Sequence, residues 1–104
     1  MDYRAEVEIP FKDKFKEPML SGVKIMTART RKMAEPQERF FAFGSFFQIN
    51  AVYKIPLALV ANVLWKLEGC HSANDFISTW REIHPRKGYD GEQLIYLHTF
   101  KRIT

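Results

Sequence analysis

Leu20-Ser21-Gly22-Val23-Lys24-Ile25-Met26-Thr27-Ala28-Arg29 is the stretch on which the reading of this chain turns. Gly22 supplies a helix stop, because a residue without a Cβ adopts the left-handed backbone that closes a helical turn. Val23 to Thr30 is rich in β-branched residues and predicts a strand. A tight glycine turn therefore leads into an extended segment carrying Lys24, Thr27 and Arg29. A regular strand alternates its faces, so Thr27 and Arg29 share one. Lys24, three residues before Thr27, joins them only if the strand begins at Ile25 or is bulged. Lys24, Arg29, Arg31 and Lys32 are also the only charges from Val23 to Ala34. Such a cluster attracts phosphate or another anion, although a solvated basic loop accounts for it equally well when it stands alone.

Outward from this segment, the periodicities alternate between strand and helix. Ala5, Val7, Ile9 and Phe11 interleave with Glu6 and Glu8, the period-2 pattern of a half-buried strand. Lys12 to Leu20 predicts a helix that Pro18 keeps short or irregular. Thr30 to Glu38 is a polar loop. Arg39 to Leu57 is the strongest β region, with aromatic residues on both parities and Gly44 in the middle as an expected bulge or barrel corner. Pro56 opens a helix from Leu57 to Glu68, with Leu57, Val60, Val63, Leu64 and Leu67 as its apolar stripe and Gly69 as its stop. A second helix starts at Ser72, with Asp75 close to a capping box, and buries Phe76, Ile77, Trp80 and Ile83. Gln93 to Ile103 closes the chain as a strand. The order predicts an α+β domain: a small, partly closed β-barrel with helices packed on one side.

The composition narrows the setting. A chain of 104 residues allows one core, so residues 1–104 are expected to form a single domain. The net charge of +4 is spread evenly, with nine basic and seven acidic groups in residues 1–52 and seven and five in 53–104. A lone cysteine, Cys70, rules out an internal disulfide framework and a multi-cysteine zinc module. The charged start of the chain offers no secretory signal. Ile55 to Trp65, its most apolar stretch, falls short of the ~20 residues a membrane helix needs. No membrane association is expected, and the cytoplasm is the expected location.

Several residues carry both a chemical and an ordinary reading. Cys70, His71, His84 and His98 match no zinc-ligand spacing, so neither a metal nor another cofactor is expected. Tyr53, Trp65 and Trp80 have rings that can stack on a base, but the two tryptophans sit on helices, where core packing accounts for them. Arg86-Lys87 and Lys101-Arg102 can extend a phosphate-binding surface or simply be solvated. Glu68 lies in the last turn of a helix, facing the negative end of the dipole. Such a placement marks either function or an exposed side chain offset by Lys66.

Gly22, Lys24, Thr27 and Arg29 form the pattern G-x-K-x-x-T-x-R. With Glu68-Gly69, the tract Phe76-Ile77-Ser78-Thr79-Trp80-Arg81-Glu82-Ile83-His84-Pro85 and the strand Leu94-Ile95-Tyr96-Leu97-His98-Thr99-Phe100, it resembles the ASCH domains, small PUA-like barrels linked to RNA. The resemblance spans nearly the whole chain. It departs at Gln37-Glu38, where the family places Gly-Asp before the central strand, so an altered turn is implied there. It implies recognition of RNA or a modified nucleoside in a basic cleft, with Gly22, Arg29, Arg31 and Lys32 at the ligand. Some small ASCH proteins hydrolyse N4-acetylcytidine. Likeness to them implies Thr27 as nucleophile, Lys24 as its base and Glu68 as proton donor or substrate orienter. A third reading is an adaptor whose pocket has degenerated.

Overall fold

Ser45–Pro56 forms the longest strand, β4, of the structure, a computed structural model that describes residues 6–104. Its Phe47 and Ile49 are buried while Tyr53 and Lys54 face solvent, as a strand covered mainly at one end requires. β3, Arg39–Ala42, folds back on β4 with Phe40 opposite Phe47. Phe43 and Gly44 join the two with φ of 53° and 81°. Two consecutive positive φ angles make a two-residue hairpin turn whose twist suits the flanking strands. Gly44 is therefore a hairpin turn rather than the expected bulge or barrel corner. The irregularity falls later, between Ile49 and Ala51, where β4 slips against β5, Leu94–Arg102.

β5 pairs antiparallel with β4 on one side and with β2, Met26–Arg29, on the other. β1, Glu6–Val7, pairs parallel with β3. The five-stranded mixed sheet has the order β1-β3-β4-β5-β2. The α+β class stands, but among the described residues the sheet is not closed into a barrel: its edge strands, β1 and β2, do not meet. The expected strand Ala5–Phe11 is reduced to Glu6–Val7, with Ala5 outside the described residues. Its alternation nevertheless continues, with Ile9 buried between exposed Glu8 and Pro10.

The free edge of β2 has a partner of another kind. Thr27 lies opposite His98 and Phe100 N donates to Ile25 O, so Met26 and Ala28 turn their backbone polar groups away from β5. The Met26 carbonyl accepts a hydrogen bond from Lys24 Nζ at 2.8 Å. A side chain thus takes the place that a sixth strand would fill.

The helices differ from expectation in detail. Asp13–Phe15 is a 3-10 turn running into α1, Lys16–Ser21, which ends at Gly22 with φ of 84°. Pro18 sits in the first turn of α1, where its missing N–H removes no helical bond. The expected helix Leu57–Glu68 is a single α-turn, α2 (Leu57–Leu59), followed by a π-helix over Val60–Leu64 and turns to Gly69. Its buried face is Leu57, Val60, Ala61 and Glu68; Val63 and Leu67, expected in the stripe, are exposed. α3, Ala73–Ile83, begins at Ser72, whose side chain accepts from Asp75 N at 3.0 Å. Thr79 is buried there with Phe76 and Trp80, whereas Ile83, the last residue of the helix, is exposed.

The core sits between the sheet and these helices. Phe40 stacks on Phe47 at 5.2 Å, and the Phe100 ring meets both edge-on at 5.3 and 5.6 Å. Such pairs add roughly 0.5–1.5 kcal/mol each beyond their burial. Among the described residues, no helix is long and apolar enough to cross a membrane.

Candidate functional site

The segment before β2 resolves the parity problem at Lys24. Val23 N and Lys24 N both donate to Pro18 O at 2.9 Å, which keeps Lys24 on the end of α1 and off the strand. The regular strand starts only at Met26. Lys24 is therefore free to wrap round the edge of β2 instead of projecting from one of its faces. Its ammonium is 2% exposed and donates to Met26 O at 2.8 Å, Glu68 O at 2.8 Å and Glu68 Oε1 at 3.2 Å. Those are three acceptors for three protons. The Phe15 ring, 4.5 Å away, covers it further.

Glu68 reaches the same point from the helical side. It follows Leu64 by four residues and Leu57 by eleven, helical spacing for one face, and its N–H donates to Leu64 O at 3.1 Å. Ile25 N donates to Leu67 O at 2.9 Å and ties this turn to the entry of β2. Glu68 is 5% exposed, so the reading of a solvated carboxylate offset by Lys66 is wrong. Gly69 makes the approach feasible. With φ of 86°, it would place a Cβ only 3.0 Å from Lys24 Cβ and 3.1 Å from Lys24 Cδ.

Burial acts on both ionisable groups. It lowers the Lys24 pKa, opposed by the Glu68 charge, and raises that of Glu68, opposed by Lys24 and Arg29. Burial thus moves both groups towards their uncharged forms, while their ion pair at 3.2 Å works against it. Glu68 Oε2 is buried with no hydrogen-bond partner among the described residues.

Thr27 and Arg29 share a face of β2. Arg29 Nε donates to Thr27 Oγ1 at 2.9 Å, and Arg29 Nη2 donates to Pro10 O at 2.6 Å. The guanidinium lies 4.9 Å from the centre of the Phe11 ring. The Thr27 oxygen, 96% of whose residue is withdrawn from solvent, thus accepts from a cation and keeps its own proton to give away.

These side chains line one cavity of about 430 Å³, within the range of small-molecule sites. Lys24, Thr27, Arg29, Arg31 and Glu68 are on its surface, and Phe11, Phe15, Phe76 and Trp80 give it aromatic walls. Gly22 and Lys32 are not. Gly22 is the exposed C-cap of α1, and Lys32 is exposed and paired with Glu35. Trp80 belongs to both the core and the cavity wall, with His84 against its ring at 4.3 Å. Cys70 also borders the cavity, and burial pushes its thiol up to about 11, which keeps it unreactive.

Gln37-Glu38, the departure from the family pattern, builds a turn nonetheless. Gln37 takes φ of 78°, the conformation in which a glycine is favoured, and its N–H donates to Ile49 O at 2.8 Å. A Glu38 carboxylate oxygen accepts from Glu35 N at 2.6 Å and so closes the turn from its far side.

Spacing sets His98 aside as a metal ligand and gives it no other role. Fully buried on β5, it sits opposite Thr27, with Nε2 2.9 Å from Met33 N and Nδ1 3.3 Å from Thr27 O. A polar residue inside an apolar alternation was the available signal.

No family model matches the chain, and no curated protein matches it in sequence. Solved structures do match in shape. The ASCH domain from Lactobacillus crispatus JV V101 superposes with a TM-score of 0.67 at 14% identity, over 95% of this chain and 79% of that one. The hypothetical protein PH0355 gives a TM-score of 0.71 at 10% identity, over 97% of this chain and 100% of its own. The protein EF3133 from Enterococcus faecalis V583 gives 0.68 at 12%, over 96% and 79%. At such identities the likeness is one of architecture, and it agrees with the arrangement of sheet and helices derived above: the chain has the fold of the ASCH domain.

Proposed function

We propose that the cavity receives the base of a modified nucleoside and that the protein is an amidohydrolase removing the acyl group from N4-acetylcytidine. One observation carries the reading. A buried lysine whose pKa is lowered by desolvation shares its cavity with a threonine hydroxyl and is bonded to a buried glutamate.

The chemistry follows from that arrangement. The Lys24 ammonium gives a proton to Glu68, a transfer that burial favours because it removes two charges from an apolar site. The neutral amine then takes the Thr27 proton as Oγ1 attacks the acyl carbonyl. Arg29, donating to Oγ1, orients the hydroxyl so that its proton is free for the amine, and the negative charge formed in the attack builds on the acyl oxygen. The carbon–nitrogen bond breaks, the N4 nitrogen leaves with a proton from Lys24, and an acetyl ester remains on Thr27. Water, deprotonated by the same amine, hydrolyses the ester to acetate and restores the hydroxyl.

Incubating the purified protein with N4-acetylcytidine tests this directly. Cytidine and acetate are expected in equal amounts, and a Thr27→Ala variant should release neither. An inactive wild type, or an active Thr27→Ala, overturns the mechanism.

A second reading is recognition of RNA or a modified nucleoside without turnover. It draws on the full set of acceptors around Lys24, which holds the ammonium, and on exposed Arg31 at the cavity. RNA affinity falling steeply with salt, together with no hydrolysis, favours it.

A further inference from the structure

We infer that His98, held as its Nδ1–H tautomer, is a positioning residue that clamps Thr27 to the cavity wall. The inference rests on the reading of Thr27 as nucleophile, but the clamp is a matter of hydrogen bonding that can be tested without it.

The tautomer follows from the partners. A backbone amide can only donate, so Met33 N–H fixes Nε2 of His98 as an acceptor, 2.9 Å away. The ring's one proton is then on Nδ1, which faces the Thr27 carbonyl at 3.3 Å. One neutral imidazole thereby joins the backbone of the proposed nucleophile to Met33, a residue of the loop after β2 that lines the cavity. Protonation breaks the arrangement, because an imidazolium would point a second N–H at the Met33 amide. Burial disfavours that cation, and Arg29 and Lys32 oppose it too, while the backbone carbonyls of Thr27 and Tyr96 favour it. The position is unusual for a histidine: the ring is completely buried and faces the strand that carries Thr27, away from solvent.

The two ring nitrogens serve different ends, and this gives the clamp a signature that simple packing lacks. Asparagine places its amide where Nδ1 lies and can still donate to Thr27 O. Glutamine reaches the position of Nε2, and its carbonyl can still accept from Met33 N. His98→Asn is therefore expected to keep kcat near wild type and raise KM by releasing the Met33 wall. His98→Gln is expected to keep KM and lower kcat about tenfold or more, since small misplacements of a reacting group are costly.

The experiment has two arms. Nitrogen-15 spectra of the histidine-labelled protein at pH 7.5 should show a protonated Nδ1 and an unprotonated Nε2 for His98, assigned with the His98→Gln variant. The opposite tautomer, or an imidazolium, overturns the clamp whatever the protein catalyses. Kinetics of the two variants with N4-acetylcytidine form the second arm, with circular dichroism confirming that each is folded. The crossed kcat and KM effects support the positioning role; equal losses in both, or none, overturn it. A wild type inactive on N4-acetylcytidine refutes the role of Thr27, and with it the positioning of a nucleophile, even where the spectra show the clamp.

Discussion

Lys24 Nζ bonds both the backbone carbonyl and the carboxylate of Glu68, at 2.8 and 3.2 Å, across 44 residues of sequence. It also bonds Met26 O, so a single ammonium joins the helical segment to the free edge of β2.

Removing either partner is therefore expected to be costly, but unequally. Lys24→Met strands a buried carboxylate that already has one unpartnered oxygen, and should cost about 3–5 kcal/mol in urea denaturation. Glu68→Gln leaves the ammonium two carbonyl acceptors and should cost less. The double variant should be more stable than Lys24→Met alone, since it carries no unpaired buried charge.

Gly69→Ala should destabilise the protein by about 1–2 kcal/mol from the left-handed backbone and by a further amount from the crowding of Lys24. Gly88→Ala shares the positive φ but meets open space, so it should cost only the backbone share, about 1–2 kcal/mol. Thermal melts of the two variants give the comparison. Equal losses would show that Lys24 is not crowded.

Arg29→Lys keeps a positive charge but not the Nε that donates to Thr27 Oγ1. With N4-acetylcytidine, kcat should fall by about 10- to 100-fold, with a smaller change in KM, because the nucleophile's hydroxyl is no longer held in its attacking orientation. A KM effect alone would assign Arg29 to substrate binding.

Stability should rise with pH across the histidine range. Burial holds the His98 pKa below its ordinary 6.5, so the unfolded chain binds more protons than the folded one as pH falls through that value. The contribution is complete above about 6.5 and is lost progressively below it, towards the folded-state pKa. Partly exposed His84 is shifted in the same direction. Urea titrations from pH 5 to 8 should show a slope that flattens in His98→Gln, and an unchanged slope would contradict the burial of the neutral ring.

Gln37→Gly should stabilise the turn before β3 by roughly 0.5–1 kcal/mol, because glycine adopts a φ of 78° without the penalty of a side chain. Chemical denaturation resolves a change of that size.

Local periodicity and punctuation were enough for the β region 39–57, though not for its division into a hairpin at Phe43-Gly44, and for the last strand, the cap at Ser72 and the helix stops at Gly22 and Gly69. Each depends on the backbone preferences of a few adjacent residues. The pattern of Gly22, Lys24, Thr27 and Arg29 likewise singled out a segment, and of these four Lys24, Thr27 and Arg29 line the cavity. The burial of Glu68 was also legible, since it continues the helical spacing of Leu57 and Leu64, but its charge argued for exposure. What these neighbours could not decide was where Lys24 points. On strand parity alone it faces away from Thr27; in the fold, Pro18 holds its backbone off the strand and Glu68 draws its amine round the edge. The open sheet has the same origin. Whether an edge is met by another strand or by a side chain depends on groups far apart in the chain. Sequence thus determined the elements and the suspect residues. Only the tertiary structure decided that a buried ion pair, a threonine and an arginine face one cavity, because that meeting is made by long-range contacts that no local preference encodes.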